Sequence, residues 1–213
     1  MVLLLAVISG IAAGAAQARL GGRGLSSPKL RLLWVVPLAF LPQWLAFFLP
    51  ATRRLVTVDM AVAALVSSQS LLLLFAWINR KQSGFWVLGI GLTLNLLVIV
   101  LNGGLMPISP ETVIQLAPNA SLDARHIGQR LGTTKDIILP VVATRLWWLS
   151  DRFLLPAPRP WRVAFSLGDI LIGVGAFNLL WALGGESLSS KGMREIWVRN
   201  LVGTAELITP SGR

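Results

Sequence analysis

The residues with the clearest capacity for chemistry are two aspartates in the last third of the chain. Asp151 lies in Thr144-Arg145-Leu-Trp-Trp-Leu-Ser-Asp151-Arg152, and Asp169 in Phe165-Ser166-Leu-Gly-Asp169. Two carboxyl groups brought together at low dielectric share one proton, because the charge of one raises the pKa of the other. The ionised member would activate a water while the protonated member polarises a carbonyl, which is the logic of an aspartyl hydrolase. Asn102 and Arg145 are candidates for stabilising the negative charge that develops. Asn95, Asn102, Arg145 and Arg152 are the candidate binding residues around the pair, with Asn95 and Asn102 on one face of a helix by their spacing.

A structural reading accounts for the same residues. Ser166-x-x-Asp169 before an apolar run is a capping-box pattern, in which both side chains satisfy free backbone N–H groups at a helix start. Asp151 would then pair with Arg145 or Arg152. Spacing alone leaves both readings open. His126 is the single histidine and there is no cysteine, so neither a multi-histidine nor a thiolate metal site can form, and no metal is expected. Neither a dinucleotide fingerprint nor a phosphate-binding loop occurs, and no cofactor is expected.

The elements that position these residues are apolar. Hydrophobic residues make up 54% of the chain and charged residues 13%, about half the charged share of a soluble domain; the mean hydropathy is +0.71. The apolar runs continue around the whole helix rather than along one stripe, which predicts an all-α polytopic transmembrane bundle. About five spans are expected, at 1–18, 30–50, 56–78, 85–101 and 164–183, forming one domain over 1–183 with a polar cytoplasmic tail at 184–213. An outer loop at 102–163 contains an interfacial or re-entrant segment, 137–155, in which Pro140, Arg145, Asp151, Arg152 and the Trp147–Trp148 pair interrupt the apolar run.

The basic flank Arg19, Arg23, Lys29 and Arg31 follows the first run and so predicts a retained span with its N-terminus outside and the C-terminus in the cytoplasm. Pro37 and Pro42 should kink the second span. Ser67, Ser68, Gln69 and Ser70 form a polar belt in the third that should bond a neighbouring helix, and Gly168, Gly173 and Gly175 in the last suit close helix packing. A surface helix is expected at 193–202. The net charge of +10 is read as loop residues facing lipid headgroups, with the bilayer as partner and nucleic acid excluded, since no basic run is interleaved with aromatics.

Asn102-Gly-Gly-Leu-Met-Pro107, Thr144-Arg-Leu-Trp-Trp-Leu-Ser-Asp151 and Phe165-Ser-Leu-Gly-Asp169-Ile-Leu-Ile-Gly-Val-Gly-Ala-Phe177 resemble the bacterial membrane-protein family called domain of unknown function 5317. The likeness covers nearly the whole chain and brings no activity with it. Over the last third, Leu149-Ser-Asp151-Arg-Phe and Phe165-Ser-Leu-Gly-Asp169 also look similar to the two aspartate segments of lipoprotein signal peptidase, which implies catalytic roles for Asp151 and Asp169. That peptidase's upstream Asn-x-x-Asp-Arg motif is absent here, and its Asn-x-Gly motif is matched only by Asn102-Gly-Gly. Two functions are therefore expected as alternatives. One is a peptidase-like hydrolase on the outer face of the bacterial inner membrane. The other is a non-enzymatic membrane component, either a subunit that associates with partner proteins or a binder of small solutes or lipid.

Overall fold

The computed structural model describes residues 2–20, 30–118, 126–155 and 162–185. Arg23, Lys29 and the expected surface helix at 193–202, with Lys191, Arg194 and Arg199, lie outside the described residues. The chain is mostly helical. Its main helices are α1 (Val2–Leu20), α2 (Val35–Gln43), α3 (Val58–Ile78), α4 (Phe85–Leu101), the short α5 (Pro110–Leu116) and α6 (Leu167–Gly185). Among the described residues one helix, Val58–Ile78, is long and apolar enough to cross a membrane, and four shorter apolar helices accompany it.

The second apolar run is shorter as a helix than the expected 30–50. Residues 31–34 form a turn, and the helix begins only at Val35. Pro42 has no N–H to give the preceding turn, and Trp44–Phe48 then widen into a π-helical turn closed by the Leu49 N–H on the Trp44 carbonyl at 2.9 Å. Such widened turns follow where the regular ladder is interrupted. Of the polar belt in α3, Ser68 is fully buried and accepts from Gln43 Nε2 at 2.6 Å, tying α3 to α2.

Four pairs of helices pack together: α1 on α6, α4 on α6, α2 on α3 and α3 on α4. The α4–α6 pair is antiparallel and held at backbone distance by glycine. A methyl group on Gly91 would sit 2.6 Å from the Gly168 carbonyl and 2.8 Å from the Ile172 nitrogen, and one on Gly175 would sit 2.5 Å from the Leu88 nitrogen. Helices approach this closely only where the side chain is a hydrogen atom. The core lies along these contacts, with Leu65, Val98, Ile99 and Leu149 in one cluster and Val35, Phe75, Phe85 and Leu92 in another.

Two asparagines end helices by the same device. Asn79 follows α3 and Asn102 follows α4, and both side chains are buried. Each donates to the carbonyl four residues back, Phe75 for Asn79 at 2.9 Å and Val98 for Asn102 at 2.7 Å. Each then clasps the backbone of a distant arginine from both sides. Arg31 N–H meets Asn79 Oδ1 at 2.8 Å and its carbonyl meets Nδ2 at 3.0 Å. Arg145 N–H meets Asn102 Oδ1 at 2.8 Å and its carbonyl meets Nδ2 at 2.9 Å. The residue after each clasped arginine is a leucine held left-handed, Leu32 at φ 55° and Leu146 at φ 53°. Both sit in an Arg-Leu-x-Trp sequence, 31–34 and 145–148. Because α3 and α4 run in opposite directions, the two corners lie at opposite ends of the bundle.

The expectation of an all-helical chain needs one correction. The segment after α4 contains two small two-stranded sheets: β1 (Met106–Ile108) pairs in parallel with β2 (Asp136–Ile138), and β3 (Phe153–Leu154) pairs antiparallel with β4 (Ala164–Phe165). Gly103 and Gly104, at φ 88° and 89°, reverse the chain out of α4 into β1, a conformation that glycine adopts without strain. The interrupted apolar run 137–155 is not a span. It folds as β2, two single 3₁₀ turns at Val141–Ala143 and Trp147–Leu149, and β3, because Pro140 and the charged residues break the helix.

Candidate functional site

Strand β1 has a polar chain on each side. Met106 N–H donates to the Lys135 carbonyl at 3.0 Å, and Asp151 N–H donates to the Pro107 carbonyl at 3.1 Å. Pro107 has no N–H to offer, so as a strand residue it can serve only through its carbonyl. Flanking one strand in this way brings Lys135 and Asp151 together, and Lys135 Nζ lies 2.5 Å from Asp151 Oδ2 and 3.3 Å from Asp136 Oδ1.

Asp151 is only 1% exposed, and its second oxygen, Oδ1, is buried without a hydrogen-bond partner. Burial pushes the Asp151 carboxyl up to about 8, against the pull of Lys135 and with a further push from Asp136 and Asp169. The direction follows from the local balance of one ammonium against three carboxyl groups, since an ionised oxygen with no donor is the costliest occupant of such a site. Lys135 is held firmly protonated by the same three carboxylates, which outweigh its desolvation.

Asp169 stands in the first turn of α6, where it closes a capping box. Its N–H donates to Ser166 Oγ at 3.0 Å, and the Ser166 N–H donates to Asp169 Oδ2 at 3.0 Å. Asn95 completes a ring across the α4–α6 crossing, donating to Asp169 Oδ1 at 2.9 Å and accepting from Ser166 Oγ at 2.8 Å. The glycine at position 168 makes this ring reachable, since any side chain there would collide with Asn95.

The six candidate residues separate into four places. Asn95 joins Asp169 at the start of α6. Asn102 is absorbed in clasping Arg145, whose guanidinium reaches the Leu101 carbonyl at 3.5 Å. Arg152 stacks over the Trp147 ring at 4.5 Å. The expected pairing of Asp151 with Arg145 or Arg152 is therefore replaced by Lys135, and among the described residues no hydrogen bond joins Asp151 to Asp169. Sequence reading missed Lys135 because it lies in a polar stretch with no motif. The available signal was its position two residues before the short apolar run Ile137-Ile-Leu, a strand edge.

A cleft of about 290 Å³ opens beside this centre, with Lys135 and Asp169 on its wall together with Gln43 and Gln69, facing Phe40, Leu72, Leu92 and Ile172. Gln69 Oε1 is buried there without a partner. No group of metal-ligating side chains occurs among the described residues.

Fold and site together define a mostly helical protein in which one helix is suited to crossing a membrane, with a compact polar centre packed where α4 meets α6. The chain belongs to the family of unknown function DUF5317, whose family model matches residues 27–181 and so takes in every residue of this centre. An uncharacterized protein of Thermotoga maritima is 32% identical over 107 residues, which is 50% of this chain and 55% of the relative. The chain thus spans about half the length of the curated relative it matches. No solved structure matches.

Proposed function

We propose that this is a multi-pass membrane protein that binds a small amphipathic amine in the Lys135–Asp169 cleft. The membrane reading is supported by helices that leave large apolar side chains outside: Trp34, Phe48, Trp77 and Trp86 are all more than half exposed, which water disfavours and lipid does not. It is also supported by the paired Arg-Leu-x-Trp corners. They are separated by the length of α4, 17 residues, or roughly 25 Å, close to a hydrocarbon core. Arginine and tryptophan at both ends suit two headgroup layers.

The cleft carries the ligand reading. It sets a buried, unpartnered acceptor on Gln69 and the Asp169 carboxylate opposite an apolar wall. Lys135 is already paired with Asp151 and Asp136, so the charge left for a ligand on the cleft wall is the Asp169 carboxylate, and the head that complements it is a cationic hydrogen-bond donor. A dansyl-labelled long-chain amine is expected to bind the detergent-purified protein in preference to the carboxylate of the same length. Gln69→Leu should weaken that binding about tenfold at an unchanged melting temperature. Equal binding of amine and carboxylate would remove the proposal.

A hydrolase built on Asp151 and Asp169 is the second reading. The observation that favours it is that Lys135, bonded to Asp151 Oδ2 at 2.5 Å, shares the wall of one cleft with Asp169, while burial pushes the Asp151 carboxyl up toward the protonated form that a general acid needs. The substrate would have to take over the bonds that Ser166 and Asn95 now make to Asp169. Asp151→Asn and Asp169→Asn should then each abolish cleavage of a membrane-anchored peptide while the protein still purifies as a folded species. Turnover surviving in either variant ends this reading.

A further inference from the structure

Among the described residues the carboxylates lie at one end of the bundle. Asp59 stands in the first turn of α3, Glu111 in α5, Asp136 and Asp151 flank β1, and Asp169 starts α6. Among the described residues none lies at the other end, where α3 passes into α4. That end carries Arg80, Lys81 and, clasped by Asn79, Arg31.

A groove runs from this cationic end along the outside of α3 and α4. It encloses about 200 Å³ and is lined by Leu73, Ala76, Trp77, Gly89, Ile90 and Leu94, with Arg80 at its head. The guanidinium of Arg80 is fixed there, 4.4 Å over the Trp77 ring and bonded to the Trp77 carbonyl at 2.9 Å. Trp86 closes the same end edge-on to Trp77, with ring centroids 6.3 Å apart. Gly89 makes the floor. Unlike Gly91 two residues on, it has room: a methyl group there would meet only Ala76 Cβ, at an ordinary 3.8 Å. The space beside Gly89 is therefore not needed for helix packing.

We infer that this groove is a binding site for an anionic phospholipid, one acyl chain lying along Gly89 with the phosphate at Arg80 and Lys81. An apolar trough ending in clustered cations and indole rings matches an acyl chain ending in a phosphate at the membrane interface. By the same token the end that carries Arg80, Lys81 and Arg31 would face the cytoplasm. The inference rests on the membrane reading but not on the amine cleft.

The test uses the full chain extracted from membranes after an alkaline wash and then delipidated. Retained phosphatidylglycerol and phosphatidylcholine are counted by native mass spectrometry. Wild type should hold one phosphatidylglycerol, preferred about fivefold over phosphatidylcholine. Arg80→Gln should lose the preference while still holding a chain. Gly89→Leu should fill the groove and lose both lipids, and Gly89→Ala should bind as wild type. Release of the protein by the alkaline wash would overturn the membrane reading and the site with it. A washed, membrane-held protein in which Gly89→Leu retains phosphatidylglycerol like wild type would overturn the site alone.

Discussion

Gly91→Ala should cost this protein most of its folded population, whereas Gly89→Ala, two positions earlier on the same helix, should leave it unchanged or slightly more stable. The added methyl at Gly91 falls 2.6 Å from a carbonyl oxygen and 2.8 Å from a backbone nitrogen of α6. Backbone cannot swing aside as a side chain can, so α4 and α6 must separate, and overpacking of this kind costs about 3 kcal/mol or more. Gly168→Ala should match it, because its methyl would fall 2.6 Å from Asn95 Cγ and 2.8 Å from the Gly91 carbonyl and would break the ring that holds Asp169. At Gly89 the methyl fits, and replacing glycine in a helix gains roughly 0.5 kcal/mol. Thermal melting of the detergent-purified variants, with the monodisperse fraction read by size exclusion, checks all three. If Gly91→Ala melts with Gly89→Ala, the helices are not in backbone contact.

Some of this arrangement could be read from the sequence, and the reason is periodicity. Continuous apolar runs marked where the apolar helices lie, although the second run is helical over a shorter stretch than expected, and Gly168 and Gly175 in the last were legible as packing positions because glycine at such spacing has few other uses in a helix. The capping box at Ser166 and Asp169 was also legible, since its bonds are local and set by four consecutive residues. What escaped was non-local. Lys135 and Asp151 meet only because β1 has a chain on each side, and a three-residue strand leaves no period to detect. Asn102 was singled out as a candidate for stabilising developing negative charge, but its side chain is bonded to a backbone 43 positions away. No pattern of side-chain types records a bond to backbone. The left-handed leucines that follow Arg31 and Arg145 are equally silent, because leucine is not a residue that announces that conformation.

Lys135→Met should unmask the second large effect, and it should grow with pH. In the native protein the Asp151 carboxyl is raised to about 8, whereas in the unfolded chain it titrates near the ordinary aspartate value of about 4. Between those limits the folded state holds a proton that the unfolded state has lost, so the contribution of this group to stability falls as pH rises from about 4 to 8 and is constant above. Removing Lys135 takes away the interactions that pull the carboxyl down, and its pKa rises further. Near pH 6 the variant keeps Asp151 neutral and the loss is modest. At pH 9 it must bury a bare carboxylate or hold a proton against the solvent, a loss of about 3 kcal/mol. Adding Asp151→Asn should recover most of that loss and abolish the excess slope, and Asp151→Asn alone should flatten the wild-type profile between pH 5 and 8. Melting temperatures of the four proteins from pH 5 to 9 in one detergent decide it. Parallel profiles for wild type and Lys135→Met would mean that Asp151 carries no shifted proton.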